Sequence, residues 1–185
     1  VDGIELDFFR HLYLFPSIAR GQVATREQLD LMTGMVKQIR DMTETCGMAK
    51  SKPIVVLVRI PDSVEYCRAV GIDIETWMKQ GLIDIIVGSD YFRLNPWRDL
   101  AKAGHAVNVK VYAGLSEPRV NDEHPLLKRR QNAVYCARSA AAWQAGVDGI
   151  YSFNEYATRN RYLSEIGHVE KLKNKNTLYF ATYVN

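Results

Sequence analysis

Three cysteines in 185 residues, Cys46, Cys67 and Cys136, form neither an even set nor a metal-binding spacing. That excludes a disulfide framework and a cysteine-based metal centre. All three fall in segments that read as helices, where a small buried residue is the expectation. No G-x-G-x-x-G turn and no P-loop follows any strand-like run, so the Gly-rich cradle for a dinucleotide or a nucleoside triphosphate is missing. One sign of charge barely prevails: 24 Lys and Arg stand against 21 Asp and Glu, a formal +3. With no basic stripe interleaved with aromatics, nucleic acid is not an expected partner. No apolar run reaches the roughly 20 residues that span a bilayer, so no membrane is expected either. Val1 opens inside an apolar run, with neither an initiating Met nor a signal peptide before it. The expectation is that further residues lie upstream.

What is present is ordinary for one globular domain over 1–185: 47% apolar and 24% charged residues. Short β-branched runs alternate with longer amphipathic segments. VDGIELDFF, IVVLVRIP, LIDIIVGSDY, VKVYAGLSE and VDGIYSFN read as strands. Thr25 opens TREQ, a capping box. The helix it starts places Leu29, Met32, Val36, Ile39 and Met42 at helical spacing and ends near Gly47. Asp62 and Asp73 are the expected caps of SVEYCRAV and IETWMKQ, and Asn95 of WRDLAKAGHAV. A long helix is predicted from about Leu126 to Ala145 and a short one near Arg159 to Ile166. An Asp stands at or before the start of three strands, at Asp2, Asp84 and Asp148, and Gly81 and Gly146 end the preceding helices.

Strands alternating with helices imply crossover connections and a parallel sheet. Polar residues gather at the C-terminal ends of the strands: Asp7, Arg59, Asp90, Glu117 and Asn154. That placement predicts a (β/α)8 TIM barrel, whose site lies where those ends converge. A closed barrel needs eight strands in about 250 residues. The five seen here predict an α/β, partial barrel, about strands four to eight, in a single domain that is a fragment of a longer chain. The missing strands would come from upstream residues or from a second copy.

Side chains alternate along a strand, so Ile4, Leu6 and Phe8 are expected on the helices, and Glu5, Asp7 and Phe9 toward the barrel interior. A carboxylate there needs a partner or a task. Asp7 is the first candidate for nucleophile or base. Pairing with Arg59 of the next strand is the alternative for both Glu5 and Asp7. Glu117 and Asp90 are the candidates for a second carboxyl group, and a surface or capping role is the alternative for each. Glu5, Arg10, His11, Arg59, Tyr91, Asn154 and Glu155 are candidate substrate contacts, with a buried ion pair the alternative for Arg10, His11 and Arg59, and aromatic Tyr91, Phe92, Trp97, Tyr112 and Phe153 offer stacking faces or simple packing. The loop HLYLFPSIAR is a candidate lid or substrate wall. No strand end carries the lysine of a Schiff-base aldolase, and only His11 suits a metal site.

The stretch D-G-I-E-L-D-F-F-R-H resembles the fourth-strand motif of several glycoside hydrolase barrels. In the α-amylase and α-glucosidase families, D-G-x-x-x-D ends in the aspartate nucleophile; Asp2, Gly3 and Asp7 match it, and His11 matches a basic position four residues on. Glu5 stands where the amylases carry arginine. The whole chain is more similar to poorly characterised bacterial glycosyl hydrolase-like barrels, with V-D-G-I-x-x-D-F-x-R at strand four and G-x-D-G-I-Y-x-F-N at strand eight. The resemblance implies a carbohydrate substrate, hydrolysis by paired carboxylates and no cofactor. The alternative is a non-catalytic sugar-binding barrel or another barrel protein. The piece by itself is expected to hydrolyse nothing, and the intact protein to be active.

Overall fold

A computed structural model of the chain describes residues 1–88, 94–115, 131–153 and 159–179. Five strands, β1 (Gly3–Asp7), β2 (Val55–Ile60), β3 (Ile85–Gly88), β4 (Lys110–Leu115) and β5 (Gly149–Ser152), pair in sequence order, all parallel. Each lies within a run predicted from the sequence. The helices between them are α1 (Pro16–Ala19), α2 (Arg26–Ala49), α3 (Val64–Ala69), α4 (Ile74–Lys79), α5 (Trp97–His105) and α6 (Asn132–Gln144). Two short helices follow β5, α7 (Leu163–Ile166) and α8 (Val169–Leu172). The α/β class and the parallel sheet with flanking helices agree with the expectation. Among the described residues, β1 and β5 are the edges of the sheet.

Parity along each strand decides which face is covered. Val56, Val58 and Ile60 on β2, Ile86 on β3 and Val111 on β4 are fully buried in one apolar cluster, with Ile4 and Leu6 of β1, and Phe8 just after that strand, packed against it. Ala113, Leu115 and Trp97 enter a second cluster with Tyr135, Ala142 and Ile166. Burial of each Val or Ile contributes about 1.5–3 kcal/mol. A one-residue slip of β2 would turn Val56, Val58 and Ile60 off the helices, so the register is strongly held. The partners Asp7↔Arg59↔Val87↔Tyr112↔Gly149 then share the other face.

Local signals account for most helix starts. The Thr25 hydroxyl accepts from the Gln28 N–H, and the Gln28 side chain accepts from the Thr25 N–H, closing the predicted capping box. Asp73 caps α4 as expected, accepting from Thr76 N–H. Two expected caps are corrected. Ser63, not Asp62, caps α3. The buried Asp62 carboxylate instead accepts from the backbone N–H groups of Leu94 and Asn95. Asn95 therefore sits ahead of α5, whose N-cap is Pro96 without a side-chain bond. In α2 the covered face is rotated from the predicted one: Leu29, Val36, Arg40, Thr43 and Gly47 are buried, whereas Met42 is 55% exposed. Arg40 displaces the expected stripe because its guanidinium is needed below the sheet. Cys67 and Cys136 are buried as expected, but Cys46 is exposed on the outer side of α2.

The recurrent aspartates do one structural job. The Asp84 N–H donates to Val56 O, and its carboxylate accepts the Val56 N–H at 2.7 Å and Arg40 of α2 at 2.8 Å. Asp148 repeats this on Val111, gripping its O and N–H, with His105 Nε2 of α5 at 2.8 Å from its carboxylate. Each aspartate thus pins the preceding strand by both backbone groups of one residue. Burial pushes the Asp148 carboxyl up, but the Val111 N–H and His105 outweigh it, and the group lies below its ordinary range.

Candidate functional site

The face of the sheet turned away from the helices carries the polar groups. Asp7 ends β1, and Arg59 stands beside it on β2. The guanidinium, with no solvent exposure, binds the carboxylate in two places: Nε to Oδ1 at 2.9 Å and Nη2 to Oδ2 at 2.8 Å. Oδ1 also accepts the Phe9 N–H at 3.1 Å. The Asp7 side chain keeps 28% of its exposure. Phe153, just beyond β5, lies over the guanidinium, its ring centroid 3.7 Å from Cζ, and the Phe9 ring lies 5.7 Å away. Such a fork-to-carboxylate pair is charge-assisted and fixed in direction, and the aromatic face replaces water above the cation.

Two residues deeper, Glu5 meets the opposite edge of the sheet. Tyr151 of β5 donates its phenolic O–H to Glu5 Oε1 at 2.8 Å. Burial first, and then the Glu5 carboxylate, push the Tyr151 phenol well above its ordinary value, so it stays a neutral donor. In a flat sheet β1 and β5 would lie about 19 Å apart, at about 4.8 Å per strand. A Tyr and a Glu side chain end to end fall short of that, so the sheet curls, with this face inside the curl. Gly149 makes room for the curl's contents: a Cβ there would stand 2.8 Å from the Tyr112 ring.

The structure thus brings Asp7 and Arg59 together, with Phe153, at the C-terminal end of the strands, and places Glu5 two residues deeper on the same face, bonded to Tyr151. The Asp7–Arg59 pair is the one weighed from the sequence as the alternative to a chemical task. Arg10 and His11 follow β1 and are exposed. Neither has a hydrogen bond or ion pair among the described residues. Trp97 is core, and Tyr112 packs on Gly149. Asp90, Glu117, Tyr91, Phe92, Asn154 and Glu155 lie outside the described residues. The loop after β1 is anchored: Leu12, Leu14 and Phe15 join the core, and Ala24 N–H bonds Ala69 O. Phe15 fits because Gly71, at φ +100°, has no Cβ, which would come within 2.8 Å of the ring. This gives the candidate wall a fixed base. Tyr151 is the residue that sequence reasoning missed. Its parity with Phe153, two positions on, was the available signal.

No helix among the described residues is long and apolar enough to cross a membrane. Among them, no three His, Cys, Asp or Glu side chains are grouped to hold a metal ion. Comparison with models of known families finds no match, and no curated protein matches the chain.

Proposed function

We propose that the chain is an arc of a (β/α)8 barrel carrying part of the catalytic mouth of a glycoside hydrolase. Register supports the arc. Glu5 stands level with Leu57, Ile85 and Lys110. Since Tyr112 pairs with Gly149, Lys110 stands level with Val147. Glu5 nevertheless meets Tyr151, four positions beyond Val147 and four strands away. One residue of offset per strand is what a shear of about 8 over eight strands requires, and in such a ring the first and fifth staves face each other. Three more strands would close it.

The single observation that carries the chemistry is Asp7, fixed by a fully buried Arg59 at the strand ends beside a second carboxylate, Glu5. Glycoside hydrolysis works with one ionised carboxyl group and one acid across the scissile bond. Asp7 is the nucleophile or base in this reading: its side chain is partly exposed, and Oδ2 keeps a lone pair beyond the Arg59 bond. Glu117 or Asp90 is the acid. Glu5 and Phe153 line the sugar subsite, where an aromatic ring suits the apolar face of a pyranose, and Arg59, which has no exposure, holds Asp7 in place rather than touching sugar.

One observation favours a second reading, a non-catalytic sugar-binding barrel: both Asp7 oxygens already hold Arg59. The test is release of reducing ends from a panel of polysaccharides and aryl glycosides by the native gene product, its Asp7→Asn variant and its Asp7→Glu variant. Asn keeps an acceptor for Arg59 Nε, and Glu keeps the charge while moving the carboxyl by one methylene. Both are expected to lose at least about 10²-fold in turnover, the low end for a positioned catalytic group, and Asp7→Glu, which keeps the charge beside Arg59, to hold its thermal midpoint within a few degrees. Retained turnover in either folded variant returns Asp7 to a structural role.

A further inference from the structure

We infer that the outer edge of β1 and the adjoining flank of α2 seat a further parallel strand and its helix from the same polypeptide, and that Asp2 grips that strand. The inference rests on the arc reading above, though not on the sugar chemistry. Asp84 and Asp148 each hold the preceding strand by one residue's N–H and C=O. Asp2 occupies the same place before β1: its carbonyl accepts Val55 N–H of the following strand, as the Asp84 carbonyl accepts Lys110 N–H. Its N–H and carboxylate are therefore the ones that would reach back to a preceding strand. Among the described residues no strand is there. The Asp2 side chain is 83% exposed and meets only the tip of Lys52.

The helix layer points to the same place. α2 turns Thr33 toward α4, bonding Trp77 Nε1 at 2.9 Å. At 100° per residue, Leu31, Met35 and Met42 fall together on the opposite flank, roughly 160–200° away. All three are exposed, Leu31 by 61%. An apolar stripe on the side of α2 facing away from α4, beside an unpaired strand edge, is where the helix of the next βα unit would pack in a repeated array. The open flank of α2 and the open edge of β1 thus call for one occupant with both elements. A second copy of this chain does not suit the gap. Three staves remain to be filled between β5 and β1, and a copy would bring five.

The test reads accessibility in the native gene product carrying Cys46→Ser, with single cysteines at Leu31→Cys, Met42→Cys and, as a control on the charged flank of α2, Glu44→Cys. Maleimide labelling is followed by mass spectrometry of each peptide, across a hundredfold dilution monitored by light scattering. Labelling at 31 and 42 is expected to be at least tenfold slower than at 44 and independent of dilution. Amide exchange at Glu5, whose N–H faces the free edge because alternate residues bond β2, is expected to be slow to match. Equal labelling at the three sites overturns the inference. So does protection that disappears as a dimer dilutes to monomer, which would make the occupant a second copy. Inactivity toward glycosides leaves this readout unchanged, so the two readings fail separately.

Discussion

Tyr151 on β5 donates a 2.8 Å hydrogen bond to Glu5 on β1, joining the two outermost strands of a five-strand sheet across its inner face. Strand neighbours are held by backbone ladders, but nothing in those ladders requires the ends of the sheet to meet. This bond does, and it accompanies the curl that brings Phe153 from beyond β5 over the guanidinium of Arg59, the strand neighbour of Asp7.

The same bond predicts a titration. The Tyr151 phenol is raised, first by burial and then by the Glu5 carboxylate. A group raised in the folded state stabilises fully below its unfolded value, about 10 for tyrosine, and that stability is lost as pH climbs through the folded value. Unfolding free energy should therefore fall above about pH 10. Tyr151→Phe should flatten the fall while costing about 1 kcal/mol at neutral pH, the usual net worth of one hydrogen bond. Urea unfolding from pH 8 to 11 with both proteins checks it. Equal slopes would mean that the phenol is neither buried nor bonded to Glu5 in solution.

The three strand-start aspartates predict a ranking. Asp84→Ala strands the N–H of fully buried Val56 and a nearly buried Arg40 guanidinium, and should cost about 2–4 kcal/mol. Asp148→Ala strands the Val111 N–H but only an exposed His105, and should cost about 1–2 kcal/mol. Asp2→Ala breaks one exposed ion pair and should cost under about 0.5 kcal/mol in the described chain alone. The Asp148 carboxyl is lowered in the fold, so its contribution is present above pH 4 and lost only as pH falls through the folded value. Denaturant midpoints at pH 7 and pH 3 test both the ranking and the sign.

Strand positions, the alternating helices and the inward parity of Glu5 and Asp7 were legible because burial acts on periodicity, which a sequence displays directly. The recurrence of Asp2, Asp84 and Asp148 was also visible, but its job was not. The groups these residues hold, Val56 N–H and Val111 N–H, belong to other strands, 28 and 37 residues away. Asp62 failed as a cap for a similar reason: a distant loop backbone outbid the adjacent helix. The rotated face of α2 follows from Arg40, a charged residue no hydrophobic pattern would place inside, which Asp84 and Leu82 O make tolerable. Tyr151 escaped notice because its partner lies 146 residues away.

Thiol chemistry separates the three cysteines. Burial pushes the Cys67 thiol far up, and burial with Glu165 raises Cys136. Cys46 is exposed. Because the thiolate is the reactive form, the described chain alone should release one equivalent of thionitrobenzoate quickly, and three only after unfolding in guanidinium. Cys46→Ser should abolish the fast phase. Two fast equivalents would place α3 or α6 outside the core.

Burial also sets the sign of an asymmetry in the Asp7–Arg59 pair. Arg59 has no exposure, while Asp7 retains 28%. Removing one partner of a buried pair costs about 3–5 kcal/mol because the other charge is left without compensation. Asp7→Ala leaves the guanidinium in place between Phe153 and Phe9 with the carboxylate gone, so it should fall near that range. Arg59→Met leaves a carboxylate that water already reaches, keeps apolar volume beneath Phe153, and should cost clearly less. A double-mutant cycle read from denaturant midpoints at constant slope isolates the coupling. If Arg59→Met proves the costlier change, the pair is governed by the stacking of Phe153 on the cation rather than by desolvation of the charge. The inner face would then be held by its aromatic contacts, and Asp7 would be freer to act on a substrate than its two bonds to Arg59 imply.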